Sequence, residues 1–412
     1  MIRPIYIAAL ILFSGASSYG QMAAQRPAKV AESAQHAIIY HQEGRFASWP
    51  ANNGAWIFNG KEILTGFTEA EYKLGSGHNA TEPYNSWLAR SKDGGYTWKA
   101  VDPVKYVGDF GKIPGTKPLE KPIRFDHPKF ALRVSSNGYH GNDDPNGHFF
   151  YSYNAGVTWN GPFGFGNLAE HPELKKYNLT DLTPRTDYIV MGKNECLLFF
   201  SAREQGVFGS DRLFSVKTAD GGLSFDFHGW IVKPHDKADT EGVPVVAIFN
   251  DLEKDPYATE CRAVMSQSSK LKDGTLISVM RRKYETGGAT FNWLDAYTSS
   301  DGGATWTLRS YVASTGAGNG NPPGMTLLAD GRICVVYGER TYGTIQAVMS
   351  SDHGRTWSEP VLLMEGFWSE DMEFDDLGYP RVVQRKDGKV VAIYYYSTKE
   401  HLHHLRATVW EP

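Results

Sequence analysis

The chain of 412 residues carries a net charge of −4 at pH 7 and a sequence pI near 6.4, so it lacks the basic surface with which nucleic-acid binders displace counterions. Its 41% hydrophobic and 13% aromatic content, with 43 glycines, 22 tyrosines and 11 tryptophans, argues against a helical fold and for a turn-rich β protein with a large core. The cysteines Cys196, Cys261 and Cys334 are odd in number and have no metal-ligand spacing, so at least one is expected to be a buried free thiol.

Residues 1–20 read as a secretory signal peptide: Arg3 precedes an apolar run from Ile5 to Phe13, and small residues follow. The run is shorter than the ~20 residues a membrane span needs, and no later stretch reaches that length. A secreted or periplasmic protein without stable membrane insertion after signal removal is the expectation. Residues 21–35 read as a linker and residues 36–412 as the folded unit.

The first strand candidate, HAIIYH at His36 to His41, has no neighbour of its own. Two signals then alternate along the chain. One is a glycine, usually after Asp or Asn, that leads into an apolar run, at Gly60, Gly138, Gly192, Gly274, Gly331 and Gly388. Such glycines supply the positive φ that tight hairpins need. The other is an octapeptide, SKDGGYTW from Ser91, SYNAGVTW from Ser152, TADGGLSF from Thr218, SSDGGATW from Ser299 and SSDHGRTW from Ser350. Each unit thus reads as strand, Gly turn, apolar strand, third strand, octapeptide turn and fourth strand, at periods of roughly 55 to 80 residues, the mark of a propeller blade. The expected fold is all-β, a six-bladed β-propeller of four-stranded antiparallel blades. The last unit has room for only three strands after Leu377, so HAIIYH is expected to complete it and remove two open edges. The octapeptide is expected to be structural, its Asp accepting from its own turn and its Trp packing between strands.

S-x-D-x-G-x-T-W recurring through six β units resembles the Asp-box pattern of the sialidase (neuraminidase) superfamily over nearly the whole chain. The resemblance implies an exo-glycosidase that holds a substrate carboxylate with three arginines, uses a tyrosine nucleophile, and protonates the leaving group with an aspartic acid. DGTLISVMR resembles the strand of the second arginine and points to Arg281; VVYGERTYGTIQAVMSSDHGRTW resembles the third and points to Arg340. GYPRVVQRKDGKVVAIYYY resembles the nucleophile strand, with Tyr379 at the tyrosine position. Arg45, in GRFASWPANNGAW, stands where the first arginine opens the first blade, without the family's R-I-P triplet. Met265 occupies the place of the family's glutamate, and SGHNATEPYNSW offers His78 and Glu82 where the acid aspartate would be.

Strand order alone puts Arg45, Tyr379, Arg281, Arg340 and the His78/Glu82 stretch on the face opposite the octapeptides. Arginine forks suit a carboxylate, and a neutral tyrosine avoids repulsion beside it. Glu260, Glu373, Asp375 and Asp376 are candidates for the base, with Asp376 also a candidate for holding substrate. Trp49, Trp293 and Trp368 could stack on sugar rings, although packing is the more usual role for each. The acidic loop GNDDPNG from Gly141 reads as a plain turn, and HLHH from His401 lacks metal-ligand spacing, so no cofactor or metal is called for. The readings that follow are a glycosidase acting on a terminal acidic sugar (sialic-acid-like or uronate-containing) of a glycan, a uronate-specific polysaccharide lyase, or a carbohydrate-binding propeller without catalysis.

Overall fold

The computed structural model describes the chain apart from residues 1–25, 28, 76–77, 102–114, 137–145, 205–206, 208–210, 235–261, 287–288 and 371–375. Six small sheets follow one another around a ring and form a six-bladed, sialidase-like β-propeller. Blade one sets two short inner strands, Arg45–Ser48 and Ala55–Phe58, against Glu62–Tyr72, followed by Ala80–Ser91 and Lys99–Val101. Blade two has Ala131–Ser135, His148–Ser152 and Asn160–Gly164. Blade three repeats the broken inner strand, with Asp181–Leu182 and Tyr188–Val190 both on Cys196–Arg203, then Arg212–Thr218 and Asp226–Trp230. Blade four is Arg262–Lys270, Leu276–Thr286, Ala289–Ser299 and Thr307–Ser314. Blade five is Gly324–Leu327, Ile333–Glu339, Thr344–Ser350 and Val361–Met364, and blade six is Gly378–Gln384, Val390–Tyr396 and His404–Trp410.

The ring closes as the sequence suggests. Gln35–Tyr40 pairs antiparallel with His404–Trp410 and supplies the outer strand of blade six. Lys29–Val30, within the expected linker, adds in parallel to Val361–Met364 of blade five. Blade two differs from the expected order. The Gly138 turn lies outside the described residues, but Ala131–Ser135 before it and His148–Ser152 after it pair with each other, and the octapeptide follows directly. That connection therefore joins the second and third strands, not the first and second.

Alternating apolar residues bury themselves between blades rather than within one, so each interface has its own core. Trp56, Phe58, Leu64 and Leu88 of blade one meet Phe150 of blade two, and Ile189, Leu197 and Phe199 of blade three meet Leu276 and Met280 of blade four. Cys196 and Cys334 are buried free thiols in these cores, while Cys261 lies outside the described residues.

The octapeptides have both internal and external work. In the fourth, Asp301 Oδ1 accepts from Ser299 Oγ (2.7 Å), Ala304 N (3.1 Å) and Thr305 N (3.0 Å), and its Oδ2 accepts from the Thr305 hydroxyl (2.5 Å). Asp93 and Asp352 repeat this pattern, and these bonds outweigh partial desolvation to hold both carboxyls down at about 2. The glycine after them faces the preceding blade: a Cβ on Gly303 would stand 2.7 Å from Leu197, and one on Gly354 2.7 Å from Ile277. Both take positive φ, so the turn needs glycine for its conformation and for the approach.

Candidate functional site

A one-turn helix, Pro50–Asn53, interrupts the inner strand of blade one and lies at the ring's centre. Three buried arginines from other blades hold it. Arg133 Nη2 donates to Asn53 Oδ1 (2.9 Å), Arg185 Nε to Asn52 Oδ1 (3.2 Å), and Arg381 to the carbonyl oxygens of Pro50, Ala51 and Thr186. Asp187 adds blade four by accepting from Ser266 Oγ (2.7 Å), Ser268 N (3.0 Å) and Ser268 Oγ (2.8 Å). Burial pushes its carboxyl up to about 6 despite these bonds, and burial lowers Arg381 to about 10.

Around this centre, at the end of the ring away from the octapeptides, the inner strands of three blades carry a left-handed backbone at non-glycine residues: Trp49 (φ 53°), Met265 (φ 57°) and Tyr379 (φ 46°). Met265 and Tyr379 coincide with register shifts, Val264 to Ser266 and Gly378 to Arg381, so each is expelled from its ladder. Asn321 fixes the second bulge: its Oδ1 accepts from Tyr379 N (2.8 Å) and its Nδ2 donates to Leu377 O (2.6 Å). A Cβ on Gly378 would lie 2.4 Å from that Oδ1. Strain of this kind persists where the surroundings over-determine it, and it gathers at sites that must aim a side chain.

The aimed groups meet. Arg281 Nη1 donates to Tyr379 Oη (3.1 Å), and another Arg281 nitrogen donates to Asn319 O. Arg340 lies 5.9 Å from the Tyr379 ring and donates through Nη2 to Asp376 Oδ1 (3.1 Å), Leu377 O (3.2 Å) and Tyr395 Oη (3.2 Å). The Tyr395 hydroxyl in turn donates to Asp376. Asp376 Oδ2 faces His78 Nδ1 at 2.9 Å. Burial alone would raise the Asp376 carboxyl, but His78, Arg340 and Tyr395 together hold it down at about 2. The ionised carboxylate can only accept, so Nδ1 of His78 carries the proton in this contact. The His78 side chain is 40% exposed and its ring lies 5.1 Å from that of Trp49.

Of the residues singled out in the sequence, Arg281, Arg340, Tyr379, Asp376, His78 and Trp49 therefore form one contact network drawn from blades one, four, five and six. Arg45 and Glu82 are not in it. Arg45 pairs with buried Glu69 on the neighbouring strand. Glu82 is exposed, and among the described residues its recorded influence is on Tyr84, whose hydroxyl burial and then Glu82 push upward. Trp293 is buried beside Arg282 at 5.6 Å. Glu260, Glu373 and Asp375 lie outside the described residues, as does most of the GNDDPNG loop. Tyr395, Asn319 and Asn321 were not anticipated. Strand alternation could have found Tyr395, because Tyr394 and Tyr396 face blade five and Tyr395 faces the other way.

Among the described residues, the partners of buried Arg281 are a neutral phenol and a carbonyl oxygen, and its Nε has no hydrogen-bond partner. A buried guanidinium without a carboxylate is costly and marks a place where an anion would be welcome.

The class that this architecture defines is the sialidase-like six-bladed propeller. No family model and no curated protein sequence matches the chain. In fold it is similar to a protein of unknown function from Dyadobacter fermentans, at 17% identity over 94% of this chain and 98% of that one, with a TM-score of 0.62. It is also similar to a Hadza microbial sialidase (14% identity, 90% of this chain and 66% of that one, TM-score 0.56). A third likeness is to the α-L-arabinanase of Penicillium chrysogenum complexed with arabinobiose (14% identity, 93% and 99%, TM-score 0.51). No helix among the described residues is long and apolar enough to cross a membrane.

Proposed function

We propose that the protein is an exported glycoside hydrolase that removes a terminal acidic sugar, sialic-acid-like or uronate-containing, from a glycan. The observation that carries this reading is the hydrogen bond from Arg281 to the Tyr379 phenol beside Arg340, in a buried setting where Arg281 has no internal carboxylate among the described residues. Arg281 and Arg340 receive the sugar carboxylate. Tyr379 Oη attacks the anomeric carbon, a neutral nucleophile beside a bound anion, and releases its phenolic proton to water, while the His78 imidazolium delivers a proton to the departing oxygen. Water then cleaves the glycosyl-tyrosine and gives one proton to His78, the departing phenolate regains its proton from solvent, and Asp376 holds the Nδ1–H side of the imidazole throughout. The fold's likeness to a sialidase and an arabinanase supports glycoside hydrolysis as the broader class.

The test is a product screen of purified protein on sialylated, uronate-containing and neutral glycans, run beside Tyr379→Phe. Release of a terminal acidic sugar by the wild type, with Tyr379→Phe folded and binding but inert, is the expected result. Near-normal turnover by Tyr379→Phe removes it as nucleophile.

The exposed, carboxylate-oriented His78 favours one second reading, a uronate lyase in which His78 abstracts a proton and Arg340 neutralises the uronate. An ultraviolet-absorbing unsaturated product identifies it.

A further inference from the structure

A concavity opens beside this network, between blades four and five. It is a cleft of about 240 Å³ whose lining includes Thr290, Phe291, Asn292, Ser314, Gly316 and Thr341. Thr290 to Trp293 begin the strand whose far end is the Ser299 octapeptide, so the cleft lies on the same face as Tyr379. Its wall is shared with the central site. The segment from Thr315 to Asn321 contributes Gly316 and Ala317 to the cleft, while its Asn319 accepts from Arg281 and from Lys283 (2.9 Å) and its Asn321 sets the Tyr379 bulge. Asn292 Nδ2 pins this segment by donating to Gly316 O (2.9 Å) and Gly318 O (3.1 Å). Thr341, which packs against Gly316, directly follows Arg340.

The lining has a definite chemistry. It combines an aromatic ring that is 40% exposed, Phe291, with the hydroxyls of Thr290, Ser314 and Thr341, and among the described residues no charged side chain lines it. An aromatic face rimmed by neutral hydroxyls matches the alternating C–H face and hydroxyl edge of an uncharged sugar ring. The volume falls below the ~300 to 1,000 Å³ of sites for drug-sized ligands, which suits one ring rather than several.

We propose that the cleft between blades four and five is a second glycan subsite, taking a neutral sugar ring of the chain whose terminal sugar lies at Arg281, Arg340 and Tyr379. The link to a terminal sugar rests on the function proposed above; the affinity of the cleft for a neutral ring does not.

The experiment is saturation-transfer NMR with lactose, cellobiose and xylobiose as probes on the intact protein. At least one disaccharide is expected to receive saturation in the wild type and equally in Tyr379→Phe. Phe291→Ala should weaken that binding about fivefold, and Phe291→Trp should restore it, since an aromatic platform contributes ~1 kcal/mol beyond burial. Absence of any signal from all three sugars, or an unchanged affinity in Phe291→Ala, overturns the proposal. Phe291 is exposed, so its removal leaves the core intact. Because the readout needs no turnover, a failed product screen leaves the cleft standing, and a failed NMR measurement leaves the central site standing.

Discussion

Asp376→Asn is the most informative single change, because one buried carboxylate serves His78, Arg340 and Tyr395 at once. Its carboxyl is held from an ordinary 3.8 down to about 2 by those partners, which outweigh the upward push of burial. A folded-state value below the unfolded one means stability that is present above the unfolded value and lost as pH falls through the folded one. At about 1.4 kcal/mol per tenfold change, the ionised group contributes roughly 2 kcal/mol at pH 7, about half of that at pH 3, and almost nothing below both values. Asparagine preserves the shape and one acceptor oxygen, yet it leaves the 3% exposed Arg340 without its carboxylate. Urea unfolding of wild type and Asp376→Asn should therefore differ by ~2 to 3 kcal/mol at pH 7, and the gap should fall to about half at pH 3. A gap that stays constant across this range, or one below ~0.5 kcal/mol at pH 7, refutes the assignment of Asp376 as an ionised hub.

Two further outcomes test the frame. Asp301→Ala removes an acceptor used four times in its turn, but water reaches the exposed site, so a loss of ~1 to 2 kcal/mol in unfolding free energy is expected with kcat and KM unchanged in the folded fraction. A chain that begins at His41 lacks Gln35–Tyr40 and exposes the edge of His404–Trp410; it should aggregate during refolding, and a soluble monomer with native unfolding behaviour would show that this strand is not the closure.

The blades were legible because their signals are local. Asp-Gly and Asn-Gly turns and the octapeptides act within a few residues of themselves, and strand order then assigned Tyr379, Arg281 and Arg340 to one face. Gly138 misled because asparagine-glycine signals a turn without saying which pair of strands it joins. Arg45 was drawn in by its position at the start of blade one, but Glu69 is the cross-strand diagonal neighbour and captures it. The segment WPANN could be recognised as a break from Pro50 and Gly54. Its holders could not, because Arg133, Arg185 and Arg381 reach it across 80 residues or more of chain. Met265 shows the same limit: its expulsion from the ladder depends on the partner strand's register, which no window around it encodes.

The central turn bears on how the blades share their stability. Pro50–Asn53 of blade one is held by Arg133, Arg185 and Arg381 from three other blades, and Asp187 ties blade three to blade four. Loosening this one turn would therefore remove bonds to several blades at once, whereas a change in an octapeptide acts on its own turn and one neighbour.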